Sequence, residues 1–458
     1  MCVCLKISVK NFDMEKIKNN IDFLILGSLG QMGRAAQNSL PGVIKNLEKQ
    51  DLYIRSVNLI DPRYQNIEKQ ADTVFEDSII PVRKFSSLSD VMYLLLESGS
   101  ILNARLFIYD ASPTPYHFGH LSLITKYFSK DVCYFGEKPI FTKQEQLSIL
   151  QNVNPTQVYC NFSETMSEVS KKLVTELDGQ NIISTHIARI SSVSKKKAYG
   201  IDRNGVTGGA LFDKGVHALA FTLNIIGVDK VNNYEITNSN VESLCVNEKN
   251  TQPITYLDSM NRWDKKKISC ELNPFDWSVD GAISASMKWH VLDDKKNMKD
   301  INSKYYFSWV GVKQTNGFME FQKYMTGLGF NDKEWRLDVD LSKKAEVNLI
   351  DEHVRCSIIE TEEYFYVCNF LSSPNPENDA AIWKIEKGST IRKRIFPVDD
   401  ADGSVFNKVR EGKTNNAIVN SILSWYGISS ASNLDQPMTV MAHDVLLKLR
   451  DTAYGVLK

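Results

Sequence analysis

No apolar run in the 458-residue chain approaches the ~18 residues of a membrane-spanning helix, so no such helix is expected. Charge of one sign is not in excess either. Lys and Arg total 54 against 55 Asp and Glu, a formal net charge of -1, which leaves no global pull toward nucleic acid or an anionic membrane. The compact basic runs Lys195-Lys196-Lys197 and Lys265-Lys266-Lys267 read as solvated loops. Cysteine is sparse, eight residues over the whole length, and the close pair Cys2 and Cys4 lacks a second pair to complete a zinc site. Reduced thiols in a cytoplasmic protein are therefore expected. Residues Met1 to Lys6 lack a basic segment leading into an apolar core and a small-residue cleavage site, so secretion has no support. Internal repeats and low-complexity segments are also missing.

What is present is an ordinary globular composition, 43% hydrophobic and 24% charged. A single core stops growing at about 250–300 residues, so two domains are expected. Asp22–Gly27 is a short continuous apolar run of the kind a strand buried on both faces shows, and a glycine turn and a helical segment follow it. Further strands are expected at Tyr53–Ile60, Leu106–Ala111 and Val132–Phe135, with helices at Leu88–Glu97 and Phe118–Phe128. Strand alternating with helix implies a doubly wound parallel sheet of Rossmann type over residues 20–150. From Asn181 the pattern changes to a β-rich run over Ile182–Val193 and a long helix from Ala210 to Ile226. Alternating segments at Ile283–Trp289, Tyr305–Val312, Glu346–Ile350, Val354–Thr361 and Tyr364–Asn369 then suggest a large, mainly antiparallel sheet in a second α/β domain, 151–458. Helices near Ala417–Trp425 and Pro437–Leu457 close the chain, the last able to pack back on the first domain.

Gly27-Ser28-Leu29-Gly30-Gln31-Met32-Gly33 lies between the first strand and its helix, the context in which a glycine turn can receive a pyrophosphate. Gly30 would let the backbone approach the phosphates, Gly33 would permit close helix packing, and the helix N-terminus would present free N–H groups. Ser28 stands where the usual first glycine would be. Asp61 ends the second strand, where a carboxylate can accept from a ribose diol and repel a 2′-phosphate, which favours NAD over NADP. Arg63 can instead pair with such a phosphate. The turn and Asp61 are further apart than the usual ~20 residues, an excess that Pro41-Gly42 assigns to a broken or extended helix.

Glu137-Lys138-Pro139 follows the Val132–Phe135 strand and projects from the carboxyl edge of the sheet. Proline restrains Lys138, whose ammonium can bond a substrate hydroxyl and relay a proton when burial lowers its pKa. In the segment from Gly208 to His217, Asp213 and His217 are four apart and share one helix face. A carboxylate and an imidazole there suit acid/base work on a hydroxyl. Two metal ligands, or a capping Asp beside a buried His, are the alternatives, and no third ligand at metal spacing is visible.

Together these segments resemble the glucose–fructose oxidoreductase and inositol dehydrogenase family, Gfo/Idh/MocA. Four blocks carry the resemblance: Ser28 to Arg34, Ser112-Pro113-Thr114-Pro115-Tyr116-His117, Glu137-Lys138-Pro139, and Gly208-Gly209 with Asp213, Gly215 and His217. It covers about the first half of the chain and the final helix. It implies NAD or NADP, held by the turn residues Ser28, Leu29, Gly30, Gln31 and Met32. Ser112, Thr114 and Pro115 would line the nicotinamide side, His117 would also bind the cofactor, and Glu137 would touch the nicotinamide ribose. By the same resemblance Lys138 contacts the reacting region of the substrate, His217 exchanges the carbinol proton, Asp213 positions the substrate, and Asn161 lies near both cofactor and substrate. The implied partners are a small polyhydroxylated substrate, such as a sugar, inositol or nucleotide sugar, and further copies of the chain in a homodimer or homotetramer. Two other readings stay open: an enzyme that retains NAD and oxidises only transiently for epimerisation, elimination or glycoside cleavage, and a non-catalytic ligand sensor.

Overall fold

The computed structural model describes residues 19–64, 68–75, 78–97, 104–126, 131–191, 209–245, 255–256, 268–269, 279–309, 315–335, 354–370, 380–396, 404–429 and 434–455. The first sheet comprises β1 (Asn20–Leu26), β2 (Tyr53–Ile60), β3 (Glu68–Phe75), β4 (Ser78–Phe85), β5 (Arg105–Asp110), β6 (Val132–Gly136) and β7 (Val158–Cys160). Their order is β3-β4-β2-β1-β5-β6-β7, parallel throughout except for the β3–β4 pair. The order reverses at β1, so the crevice between the carboxyl ends of β1 and β5 is the switch point where open α/β sheets take their ligands. The Rossmann expectation is met, with two differences. The β3–β4 hairpin was not anticipated, and β7 extends the sheet beyond residue 150.

The helix Gln31–Glu48 runs 18 residues without a break across Pro41. An internal proline costs a helix about 3 kcal/mol, here offset by burial of Ala36, Leu40, Val43, Ile44 and Leu47 along one face. Extension of this helix accounts for the long separation between the glycine turn and Asp61. Gly42 lies on it because the helix Ser404–Trp425 passes so close that a Cβ would sit 2.2 Å from Asn415 Nδ2. That C-terminal helix covers the first sheet: Trp425 packs on Phe107, and Arg105 lies 4.2 Å from the centre of the Tyr426 ring.

The second sheet comprises β8 (Ile182–Ser191), β9 (Val231–Cys245), β12 (Val279–Leu292), β13 (Met298–Trp309), β14 (Val354–Thr361), β15 (Tyr364–Asn369), β16 (Ala381–Glu386) and β17 (Arg392–Phe396), with β10 (Thr255–Tyr256) and β11 (Ile268–Ser269) forming a separate pair. The order is β17-β16-β15-β14-β8-β13-β12-β9, antiparallel except between β8 and β13. Side chains alternate between its faces. Tyr305 Oη donates to Thr222 Oγ1 (3.0 Å) in the helix Val216–Ile226 on one face, while Tyr306 packs on Phe318 in the helix Asn316–Gly327 on the other. That second helix buries Phe318, Phe321 and Met325, each worth about 1.5–3 kcal/mol, and it was not anticipated. The expected strand Glu346–Ile350 and both lysine runs lie outside the described residues.

The final helix, Gln436–Ala453, touches both sheets. Ser239 Oγ on β9 donates to the Leu449 carbonyl (3.0 Å), and Arg450 Nη1 donates to the Thr142 carbonyl (2.8 Å) in the segment after β6. Among the described residues no helix is long and apolar enough to cross a membrane. Gly33 tests the turn on which the first domain is built, because a Cβ there would lie 2.3 Å from the Gly27 carbonyl oxygen and 2.7 Å from Ser28 Cα, both main-chain atoms. Gly33→Ala should lower stability by about 1–3 kcal/mol through overpacking, read as a drop in urea midpoint at constant m-value.

Candidate active site

Three glycines shape the turn after β1. Gly27 adopts φ +67°, and a Cβ there would meet the Ala111 carbonyl oxygen at 2.7 Å, so the turn and the end of β5 can approach only at glycine. Gly27 thus supplies the close contact that Ser28 lacks. Ser28 N–H donates to the Ile60 carbonyl (3.1 Å), and its own carbonyl accepts from Gln37 Nε2 (2.7 Å). Gly30 caps the helix without a side chain, and no acidic residue occupies the first turn. The N–H groups of Gln31, Met32 and Gly33 are therefore presented at the positive end of the helix, a geometry that suits a bound pyrophosphate.

Asp61 closes the opposite wall. It is buried, with Oδ2 accepting from Leu29 N–H (3.1 Å) and Oδ1 from Arg63 N–H (3.1 Å). Arg63 grips the same carboxylate through Nε (2.7 Å) and Nη2 (2.8 Å), while its side chain stays 61% exposed. Burial raises the Asp61 pKa, but the hydrogen bonds and charge of Arg63 and the Leu29 amide outweigh it and lower the value. The two residues that sequence reasoning set in opposition are thus partners.

At the end of β5, Asp110 is fully buried and accepts from Ser112 N–H (3.0 Å), Ser112 Oγ (2.6 Å), Tyr134 Oη (2.9 Å) and His120 Nδ1 (2.9 Å). Burial pushes its pKa up, and His117, His120 and Ser112 overcome that, bringing it to about 2. His117 was expected beside the cofactor. It is instead buried, with Nε2 2.7 Å from the Ser112 carbonyl and Nδ1 2.8 Å from the Pro139 carbonyl. Two carbonyl acceptors take up both nitrogens, so the ring joins two loops and has no atom left for a ligand. Thr114 and Pro115 begin the helix Thr114–Thr125, Thr114 partly buried and Pro115 exposed.

The segment after β6 is held from both sides. His443 on the final helix donates through Nδ1 to the Thr439 carbonyl (2.7 Å) and accepts Ile140 N–H at Nε2 (3.0 Å), the pattern of a neutral imidazole. Burial, opposed by the Thr439 bond and aided by His117, brings its pKa down to about 4. Glu137, buried, accepts from Tyr109 Oη and from Asn161 Nδ2 (2.6 Å). Asn161 Oδ1 is buried without a hydrogen-bond partner among the described residues.

Lys138 reaches across to the second domain, donating to the Asp213 carbonyl and lying 3.3 Å from Asp213 Oδ1. Asp213 sits in a π-helical turn, Leu211–Gly215, that opens the expected long helix. Lys214 Nζ is 3.0 Å from Asp213 Oδ2, so lysines face both carboxylate oxygens, where the helical spacing had suggested that the acid might orient the imidazole. His217 Nδ1 is buried and has no partner among the described residues. Burial and the charges of Lys138, Arg355 and Lys214 hold its pKa well below 6.5 against the opposing pull of Glu164, so the ring is neutral at physiological pH. Sequence reasoning missed Lys214, Glu164, Arg189 and Arg355. Arg189 Nε donates to Glu164 Oε2 (2.9 Å), and both are buried. Only the adjacency of Lys214 to Asp213 was available as a signal.

No protein-family model and no curated protein matches this chain. Solved structures share its fold over nearly its full length. The WlbA dehydrogenase from Bordetella pertussis, in complex with NADH and UDP-GlcNAcA, superposes with a TM-score of 0.52 at 13% identity, covering 96% of this chain and 97% of that one. KijD10, a 3-ketoreductase from Actinomadura kijaniata in complex with TDP-benzene and NADP, gives 0.51 at 11%, covering 94% and 96%. An oxidoreductase from Sinorhizobium meliloti gives 0.52 at 8%, covering 96% and 99%. The common property at these identities is the fold: a Rossmann-type sheet joined to a large, mainly antiparallel one.

The unfolded chain takes up a proton at each of these imidazoles near pH 6.5, whereas the folded chain keeps His443 neutral to about 4 and His217 neutral well below 6.5. Stability should be level above pH 6.5 and fall as pH drops below it, by about 1 kcal/mol per pH unit for His443 alone. Urea midpoints measured between pH 7.5 and 4.5 check this, and a flat profile contradicts it.

Proposed function

We propose that the chain is a nicotinamide-dependent oxidoreductase of the Gfo/Idh/MocA type, moving hydride between the cofactor and a carbon bearing a secondary hydroxyl of a sugar-like substrate. The observation that carries this reading is the meeting of Lys138, at the carboxyl edge of the first sheet, with Asp213 in the turn leading to the neutral His217. The fold shared with nicotinamide-bound dehydrogenases and ketoreductases supports it.

The N–H groups of Gln31, Met32 and Gly33 would hold the pyrophosphate, and Asp61 the adenine-side ribose. NAD is favoured because the Asp61 carboxylate would face a 2′-phosphate at close range, while Arg63 is committed to that carboxylate. Asn161 Oδ1, unpartnered among the described residues, and the adjoining Glu137 would receive hydroxyl donors on the nicotinamide side. When bound, the nicotinamide supplies or accepts the hydride.

The remaining chemistry belongs to the chain. Lys138, anchored on Asp213, would donate a hydrogen bond to the carbinol oxygen and stabilise negative charge developing there. His217, neutral and with Nδ1 unpartnered among the described residues, would take the hydroxyl proton during oxidation and return it during reduction. Surrounding cations oppose its protonation, which keeps the base form available in mildly acidic solution.

Lys138→Ala and His217→Ala should each lower kcat by about 10²–10⁴-fold while leaving the NADH dissociation constant near its wild-type value, read by fluorescence titration and steady-state assay over a panel of sugars and inositols. Loss of NADH binding in these variants would mean that their roles are misplaced. For the wild type, kcat/KM should show no acid limb centred near pH 6.5, because His217 titrates lower. In parallel titrations NADH should bind more tightly than NADPH, and the reverse order would overturn the Asp61 assignment.

A further inference from the structure

We propose that a cavity at the start of the final helix binds a small organic cation, an ammonium carried on an apolar body. The cavity has a volume of about 770 Å³, within the roughly 300–1,000 Å³ of small-molecule pockets. Three elements line it: the first turns of the helix Gln436–Ala453, the short turn Val228–Lys230 that follows the helix of His217, and Pro155 ahead of β7. None of the lining residues is among those that form the candidate active site.

Its walls are apolar, and the polar side-chain groups that face it accept rather than donate. Pro155, Val228, Pro437, Val440 and Met441 supply the walls. The rest of the lining is Asp229, Asp435, Gln436 and Asp444, with no basic or hydroxyl side chain among the described residues. Asp444 is satisfied by Gln144, by Tyr234 Oη and by Lys448 Nζ at 3.0 Å. The other two acids lack a cation. Among the described residues nothing pairs with the Asp229 carboxylate, and the neighbouring Lys230 is engaged by Asp294 (2.7 Å). Asp435 caps the helix, accepting Met438 N–H at 3.4 Å, and has no ion pair among the described residues. Burial pushes its pKa up to about 6, which the Met438 amide opposes only in part. Gln436 Nε2 donates to the Leu150 carbonyl, which orients the amide. Its Oε1 is then a buried acceptor with no partner among the described residues.

A helix N-terminus ordinarily favours an anion. Here Pro437 has no N–H to offer, Asp435 takes the Met438 amide, and two carboxylates without a counter-ion repel negative charge. A neutral apolar guest would cover those carboxylates and Gln436 Oε1 without supplying a donor, at the full cost of their desolvation. An ammonium brings charge and N–H donors together, while its hydrocarbon body packs on Val440, Met441 and the two prolines. The volume is that of a whole small molecule rather than of one lysine side chain inserted by a partner protein.

The test is calorimetric titration of the full chain with three ligands of similar shape: tryptamine, its alcohol analogue tryptophol and its acid analogue indole-3-acetate. Tryptamine should bind saturably and about tenfold or more tightly than tryptophol, the size expected of a charge-assisted hydrogen bond, with indole-3-acetate weakest. Saturating NADH should not displace it. Asp435→Asn should remove most of the preference with a urea midpoint no lower than that of the wild type, because asparagine caps a helix as well as aspartate does. Asp229→Asn combined with Asp435→Asn should abolish it. No saturable tryptamine binding, tryptophol binding as tightly, displacement by NADH, or a preference that survives the double variant would each overturn the inference. Sedimentation checks the other occupant: an oligomer of the wild type that Met441→Lys dissociates would fill the cavity with a second copy of the chain, and the inference would fall.

Discussion

The segment after β6 is the constraint on which the candidate site depends. His117 ties the Pro139 carbonyl to the Ser112 carbonyl at the end of β5, and His443 on the final helix receives the Ile140 amide. The main chain just after Lys138 is thus held by two histidines, one of them more than three hundred positions away in sequence. The long Lys138 side chain can then cross to the second domain and rest on Asp213 without its own backbone drifting. Arg450 and Ser239 extend this clamp along the final helix, joining it to the segment after β6 and to β9 of the second sheet.

Electrostatics complete what the clamp positions. Asp110 survives in full burial because four donors converge on it, and Glu137 survives among Tyr109 and Asn161. At His217 burial, followed by the charges of Lys138, Arg355 and Lys214, keeps the imidazole neutral against the pull of Glu164. One half of the crevice is therefore a set of satisfied carboxylates, and the other a buried, neutral imidazole on which three cations act.

Much of the first domain was legible in the sequence because its signals are local. A buried strand must be continuously apolar, and Asn20–Leu26 nearly is. Its one acid, Asp22, is buried only because Arg55 and Ser56 from the neighbouring strand satisfy it. The β3–β4 hairpin escaped because Glu68–Phe75 carries no clean alternation. The helix Asn316–Gly327 escaped for a related reason: its apolar residues are spaced for packing on Tyr306 and His186, partners supplied from other strands.

The sequence alone determined the strand–turn–helix at Gly27, the glycine spacing, the acid at the end of β2 and the placing of Lys138 after a buried strand, because each is a short-range consequence of backbone sterics and hydrophobic patterning. Tertiary structure alone decided that Arg63 closes on Asp61, that His117 is a tie between loops, that Lys214 shares Asp213, and that the charges of Glu164 and Arg355 act on His217. Those facts depend on which distant charges are brought within a few ångströms in a medium of low dielectric constant, and no pattern along one chain encodes that distance.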